Sequence, residues 1–305
     1  MHVRKLLTGL LAVFAIAILV ACSAPDKEKA ATTNKETEAL KADTKFKSEI
    51  EKLEKKYGAT LGIYGMNTEN KQTISYNAQE RFAYASTFKA IAGGILLKNL
   101  TDDELNKRFY FSKEDLVDYS PVTEKHIDSG MTMKELIQAA MDYSDNTAAN
   151  IMLRELGGPE GFKKELLKIG DKTMLPVRYE PELNEAVPGD TRDTTTPEAM
   201  ANSLSFLLTK GNMAEDRLHL FKQMLFDNTT GDNLIRAGVP KGYIVGDKTG
   251  AGWYGTRNDI AAIYKDKDAK PLIWVIYSKK TGRDDEYNDQ LIADAAKVLS
   301  DYFSL

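Results

Sequence analysis

The run Leu272-Ile273-Trp274-Val275-Ile276-Tyr277 constrains the fold more than any other stretch of the chain. It is apolar at odd and even positions alike and rich in β-branched and aromatic side chains. A strand of that pattern has no face to give to water. It belongs in the middle of a sheet with a layer packed on each side. The reading places a strand over residues 271–278, preceded by short β-type runs at 243–247 and 259–264. Near the other end, residues 60–67 and 72–76 read as strands joined by the turn-like Asn67-Thr68-Glu69-Asn70, with a short third at 81–83.

The middle of the chain is helical. Phe88, Ile91, Ala92, Ile95 and Leu96 recur at helical spacing, and Gly93-Gly94 among them allows close packing. Further helices read over 132–143, 147–156, 160–169, 196–210 and 217–227. Phe46, Ile50, Leu53 and Tyr57 mark a helix ended by Gly58, and residues 289–303 form a closing amphipathic helix. The order helix, strands, helices, strands, helix implies that the two ends join in one sheet. The helical middle is then an inserted lobe. Residues 45–83 and 227–305 would make the sheet lobe and 84–226 the helical lobe, an α+β architecture with a ligand cleft between them.

The N-terminus reads as a processing segment. Arg4 and Lys5 precede an apolar run that ends in Leu19-Val20-Ala21-Cys22, too short for an ordinary spanning helix. Cys22 is the only cysteine of the chain, which excludes an intramolecular disulfide. Residues 1–21 are expected to be a bacterial lipoprotein signal, with Cys22 lipidated. Residues 22–44, rich in Ala, Lys, Glu, Thr and Asp, are expected to be a disordered tether. The domain would then be exported and held at a membrane surface. A net charge of −4 gives no reason to expect a nucleic-acid partner.

Candidate chemistry starts at Ser86-Thr87-Phe88-Lys89. With a helix beginning at Ser86, both side chains lie on one face of its first turn, so an amine stands within reach of a hydroxyl. The same tetrapeptide also reads as an ordinary helix start. S-x-x-K occurs once in the chain. Of the three histidines, His2 is in the signal, and no G-x-S-x-G surrounds any serine, so a serine–histidine triad finds no support. No zinc spacing, P-loop or dinucleotide glycine pattern occurs. Ser144-Asp145-Asn146 lies between two helices, where Ser144 and Asn146 can face the cleft while Asp145 ties the loop down or caps the next helix. Glu180-Pro181-Glu182-Leu183-Asn184 sits in a helix-poor segment from 178 to 193, and Lys248-Thr249-Gly250-Ala251-Gly252 follows a strand. A second K-T-G at Lys280-Thr281-Gly282 reads as a charged turn, and Asp102-Asp103-Glu104-Leu105-Asn106 as a chance likeness to E-x-x-L-N.

S-x-x-K, S-D-N, E-x-x-L-N and K-T-G in that order resemble the class A β-lactamases, and the resemblance covers roughly residues 45–305. It implies a five-stranded antiparallel sheet flanked by N- and C-terminal helices, with a helical domain inserted. It implies hydrolysis of a strained cyclic amide through a serine acyl-enzyme, with no metal or organic cofactor, by a monomer. Ser86 would be the nucleophile. Lys89 or Glu180 would be the acylation base, Ser144 would relay the proton to the leaving nitrogen, and Glu180 with Asn184 would activate the hydrolytic water. The backbone N–H groups of Ser86 and Ala251 would form the oxyanion hole. Asn146 would bind the substrate's side-chain amide, Lys248, Thr249 and Arg257 its carboxylate, and Tyr119 would line the entrance. Arg178 and Asp193 would close the neck of an Ω-loop containing a cis Glu180–Pro181 bond. A D,D-peptidase or a non-hydrolytic penicillin sensor would share S-x-x-K and K-T-G, and Glu180 with Asn184 argues against both.

Overall fold

The computed structural model describes the backbone of residues 27–305 and the side chains of residue 38 and of residues 40–305. The signal segment, Cys22 and the start of the tether lie outside the described residues. The elements run α1 (Lys27–Tyr57), β1 (Thr60–Asn67), β2 (Thr73–Tyr76), β3 (Phe82–Ala83), α2 (Phe88–Asn99), α3 (Asp102–Asn106), β4 (Arg108–Phe109) and β5 (Met131–Thr132). They continue with α4 (Met133–Asp142), α5 (Asn146–Glu155), α6 (Gly158–Lys168), β6 (Thr194–Thr195), α7 (Pro197–Thr209), α8 (Glu215–Phe226) and α9 (Ile235–Gly238). Strands β7 (Ile244–Ala251), β8 (Arg257–Tyr264) and β9 (Leu272–Lys279) and helix α10 (Asp289–Phe303) complete the chain.

Five strands form one antiparallel sheet in the order β2-β1-β9-β8-β7. The apolar run is β9, and it is the middle strand. Its side chains alternate between two cores, as the pleat requires. Ile273, Val275 and Tyr277 join the core shared with α2, α4, α5 and α7. Leu272, Trp274 and Ile276 join the core shared with α10 and with Phe46 and Ile50 of α1. Residue contacts divide the chain into Met1–Lys41 and Ala42–Leu305, and the second unit contains the whole sheet and both cores.

Local chemistry sets the helix ends. Thr132 caps α4 in a reciprocal box with Glu135, Asp145 caps α5, and Thr196 followed by Pro197 starts α7. Helix α2 has no side-chain cap and is buried over most of its length. Its glycines admit neighbours closely: a Cβ on Gly93 would lie 2.8 Å from Met141 Sδ, and one on Gly94 2.8 Å from Leu207 Cδ1.

Three features differ from the sequence reading. Helix α1 begins at Lys27, inside the segment read as a disordered tether over 22–44. Ala, Lys and Glu dominate there, with no Gly or Pro between Lys27 and Tyr57, so helical propensity is uninterrupted. Strand β7 runs on to Ala251, which puts Lys248-Thr249-Gly250 inside the strand and not after it. Pairing of Lys248 with Ile260 and Ala251 with Arg257 extends a strand whose charged and small residues hide its character. The short helices α3 and α9 and the two-residue strands β4, β5 and β6 have no counterpart in the sequence reading.

Candidate active site

Ser86 sits in a single 3-10 turn, Ala85–Thr87, that runs directly into α2. Lys89 is one turn on. The turn is strained, since Ala85 holds φ at +45°. Two clamps keep it in place. Asn258 Nδ2 on β8 donates to Ala83 O at 2.7 Å, and Thr87 Oγ1 donates to Tyr84 O at 2.6 Å. Strand β7 presses on the turn from the other side. A Cβ on Gly250 would stand 3.1 Å from both Ala85 Cβ and Tyr84 O and 3.2 Å from Ser86 N, so glycine is what lets the strand approach.

Glu180 enters from the segment between α6 and β6. Its Oε1 accepts from Ser86 Oγ at 3.1 Å and stands 3.0 Å from Lys89 Nζ. Its Oε2 accepts from Asn184 Nδ2. Its backbone is pinned both ways by Asn150 of α5, which donates to Glu180 O and accepts from Glu180 N, each at 2.9 Å. The Glu180–Pro181 bond is cis. Asp193 closes the neck of the segment. It is fully buried and takes Arg178 Nε, the backbone N–H of Val177 and Arg178, and the Tyr84 hydroxyl. This is no loose surface pair.

The turn between α4 and α5 brings the third group. Ser144 adopts φ of +59°, and Asp145 underneath accepts from Thr123 N, Val122 N and Ala148 N at 2.9, 3.0 and 2.9 Å. Asp145 ties the turn and faces away from the cavity. Lys89 Nζ donates to Ser144 O at 2.8 Å and Asn146 Oδ1 at 2.6 Å. Lys248 Nζ donates to Ser144 Oγ at 3.0 Å. The two ammonium groups thus flank Ser144.

Ser86, Tyr119, Ser144, Asn146, Asn184, Thr249, Ala251 and Arg257 line one open cavity of about 370 Å³. Lys89, Glu180 and Lys248 are buried beneath its floor. Thr230 and Tyr287 also line it and escaped the sequence reading. Thr230 Oγ1 lies 2.6 Å from Thr249 Oγ1. Arg257 is not free: its Nε donates to Asp289 Oδ1 at 2.7 Å, and its guanidinium lies 4.8 Å from the Tyr287 ring centroid. Neither His126 nor His219 lines the cavity, and Lys280-Thr281-Gly282 is a turn closed on Asp285 and Glu286. Among the described residues no cluster of three or more His, Cys, Asp or Glu could hold a metal.

Burial governs the charges. It lowers the Lys89 ammonium from its ordinary value, with the Glu180 carboxylate opposing. It lowers Lys248 to about 7, helped by the positive charge of Lys89 and opposed by Asp247, Asp259 and Glu180. Asn150 could have been found from its place four residues after Asn146 on one helix face. Tyr84, Asn258, Asp289 and Tyr287 carry no local signal and act across long stretches of chain.

Comparison with known proteins places this geometry. Residues 45–303 match the model of the "Beta-lactamase enzyme family". The chain is 49% identical over 251 residues to Beta-lactamase 1 of Bacillus cereus, covering 82% of this chain and 81% of that protein. It is 47% identical over 256 residues to a Bacillus licheniformis β-lactamase, covering 84% of this chain and 83% of the other. The crystal structure of a class A β-lactamase from Clostridium kluyveri superposes with a TM-score of 0.84 at 44% identity, covering 86% of this chain and all of that one.

Proposed function

Since the chain belongs to the β-lactamase enzyme family, we propose a residue-by-residue division of labour for its hydrolysis of the β-lactam ring. The enzyme is a serine hydrolase of class A type, and ring opening confers resistance to β-lactam antibiotics. The observation that carries the assignment is the sharing of Glu180 Oε1 between Ser86 Oγ at 3.1 Å and Lys89 Nζ at 3.0 Å.

Ser86 Oγ attacks the lactam carbonyl carbon. Its proton passes to Glu180, the carboxylate its hydroxyl already meets, with Lys89 as the cation that steadies it. The C–N bond breaks, the nitrogen takes a proton from Ser144 Oγ, and an ester to Ser86 remains; Lys89, 3.0 Å from Glu180 Oε1 and 3.4 Å from Ser144 Oγ, returns a proton to Ser144 and takes one from Glu180, which is again a carboxylate. The backbone N–H groups of Ser86 and Ala251 hold the developing oxyanion, each worth about 3 kcal/mol. Lys248, Thr249 and Arg257 hold the substrate carboxylate, with Thr230 setting the Thr249 hydroxyl. Asp289 and Tyr287 aim Arg257. Asn146 meets the side-chain amide, and Tyr119 walls the entrance.

Deacylation needs a water activated by a base. Glu180 supplies the base, and Asn184 donates to its Oε2 while keeping its own Oδ1 unpartnered among the described residues and able to accept from water. The water adds to the ester carbon and releases Ser86 with its hydroxyl restored. Arg178, Asp193 and Asp145 hold the loops and touch no reacting atom. The protein further acts as a monomer, exported and tethered by residues 22–44 to a lipid on Cys22. The basic, apolar, small-then-cysteine order of residues 4–22 supports that anchoring.

The purified chain mixed with a chromogenic cephalosporin tests the reading. Many turnovers per molecule are expected. A single stoichiometric burst would identify a trapped acyl-enzyme, as in a penicillin sensor, and would overturn it.

A further inference from the structure

Tyr287 is shared by two cavities. It lines the active-site cavity, and with Asn233, Ala237, Asn288, Asp289 and Gln290 it lines a second cavity of about 440 Å³. The mechanism above uses only the first. Tyr287 comes from the segment just before α10 and is 49% exposed, so the core gains little from its ring. The ring already carries one cation, since the Arg257 guanidinium lies 4.8 Å from its centroid. Arg257 Nε donates to Asp289 Oδ1 at 2.7 Å. Asp289 reaches the second cavity too, with 34% of its side chain exposed.

Asp289 is the one charged residue of that lining. Asn233, Asn288 and Gln290 are neutral amides, and no lysine or arginine contributes. An aromatic face beside a carboxylate suits a flat, weakly hydrated cation. A substrate carboxylate seated on Arg257 strengthens this. The guanidinium then serves two anions with one positive charge, and the corner turns negative toward the second cavity. In a cephalosporin the ring carbon bearing the carboxylate is bonded to the carbon bearing the 3-substituent. Seating the carboxylate on Arg257 therefore brings the 3-substituent to the Tyr287 side of the cleft. We propose that Tyr287 and the second cavity form a subsite for a cationic 3-substituent, recognised by the ring and by the Asp289 carboxylate. The proposal rests on the reading that Arg257 holds the substrate carboxylate.

The experiment measures KM for two cephalosporins with the same acyl side chain. One carries a pyridiniomethyl cation as its 3-substituent and the other a neutral acetoxymethyl group. Tyr287→Ala should raise KM for the cationic compound about threefold more than for the neutral one, and Tyr287→Phe should keep the wild-type ratio. A ring that only aims Arg257 would move both compounds by the same factor in Tyr287→Ala, and that result overturns the proposal. Asn233→Lys is the second variant. It sets a positive charge in the second cavity from an exposed position, without touching the Arg257 pair. It should raise the ratio in the same direction, and an unmoved ratio in either variant that folds overturns the proposal. Arg257→Ala separates the two failures. An unchanged KM for the neutral compound there removes the carboxylate role of Arg257 and the subsite with it. A raised KM there, with the ratio fixed in Tyr287→Ala and Asn233→Lys, removes the subsite alone.

Discussion

With the role proposed for Lys248, substrate binding should depend on pH. In the proposed mechanism its charged form holds the substrate carboxylate, and burial brings it to about 7 from an ordinary 10.5. For a penicillin, kcat/KM should hold on the acid side and fall as pH rises through about 7, with KM carrying the change. A profile flat well past neutrality contradicts this. The linked effect on stability has the opposite sense. Between about 7 and 10.5 the unfolded chain binds this proton and the folded chain does not, so this group's contribution to stability rises with pH across that window. At residue scale the site was legible because its chemistry is written in short local motifs. Ser86 and Lys89, Ser144 and Asn146, Glu180 and Asn184 each pair within a few residues. What holds them is not local. Asn258 clamps the turn before Ser86 across 175 residues, and nothing near Asn258 announces it.

The segment from 178 to 193 behaves as one element without regular secondary structure. Asp193 is its keystone, buried and accepting from four groups. Asp193→Asn keeps the shape and removes the charge that pairs Arg178, leaving a guanidinium only 15% exposed beside Glu185 alone. The expected loss is about 3 kcal/mol, read as a lowered urea midpoint, with slower deacylation at unchanged acylation. Equal stability, or slowing confined to acylation, would assign Asp193 elsewhere. The same scale shows where the pattern of the sequence fell short. Polar and small residues in Lys248-Thr249-Gly250 look like the end of a strand, yet β8 pairs with them to Ala251. Charge and glycine disguise a strand when its face is a binding floor and not a core.

At the scale of the whole molecule, β9 does what its composition demands. Two cores meet on its two faces, one under the inserted helices and one under α10. That much follows from periodicity alone. The helical start at Lys27 did not, because a polar run of good helix formers and a polar tether share one composition. The N-terminal segment bears on where the enzyme works. Among the described residues no helix is long and apolar enough to cross a membrane. Cys22→Ala is expected to move the enzyme from the membrane fraction to the soluble fraction with its specific activity kept. Continued sedimentation with membranes would assign the attachment to residues 1–21 themselves.

The central claim is that Glu180 clears the acyl group from Ser86. Intact-protein mass spectrometry of Glu180→Gln during exposure to a penicillin tests it most directly. An adduct of one substrate mass should accumulate and persist, with turnover down by about 10²-fold or more. Steady wild-type turnover with no adduct would contradict the role given to Glu180.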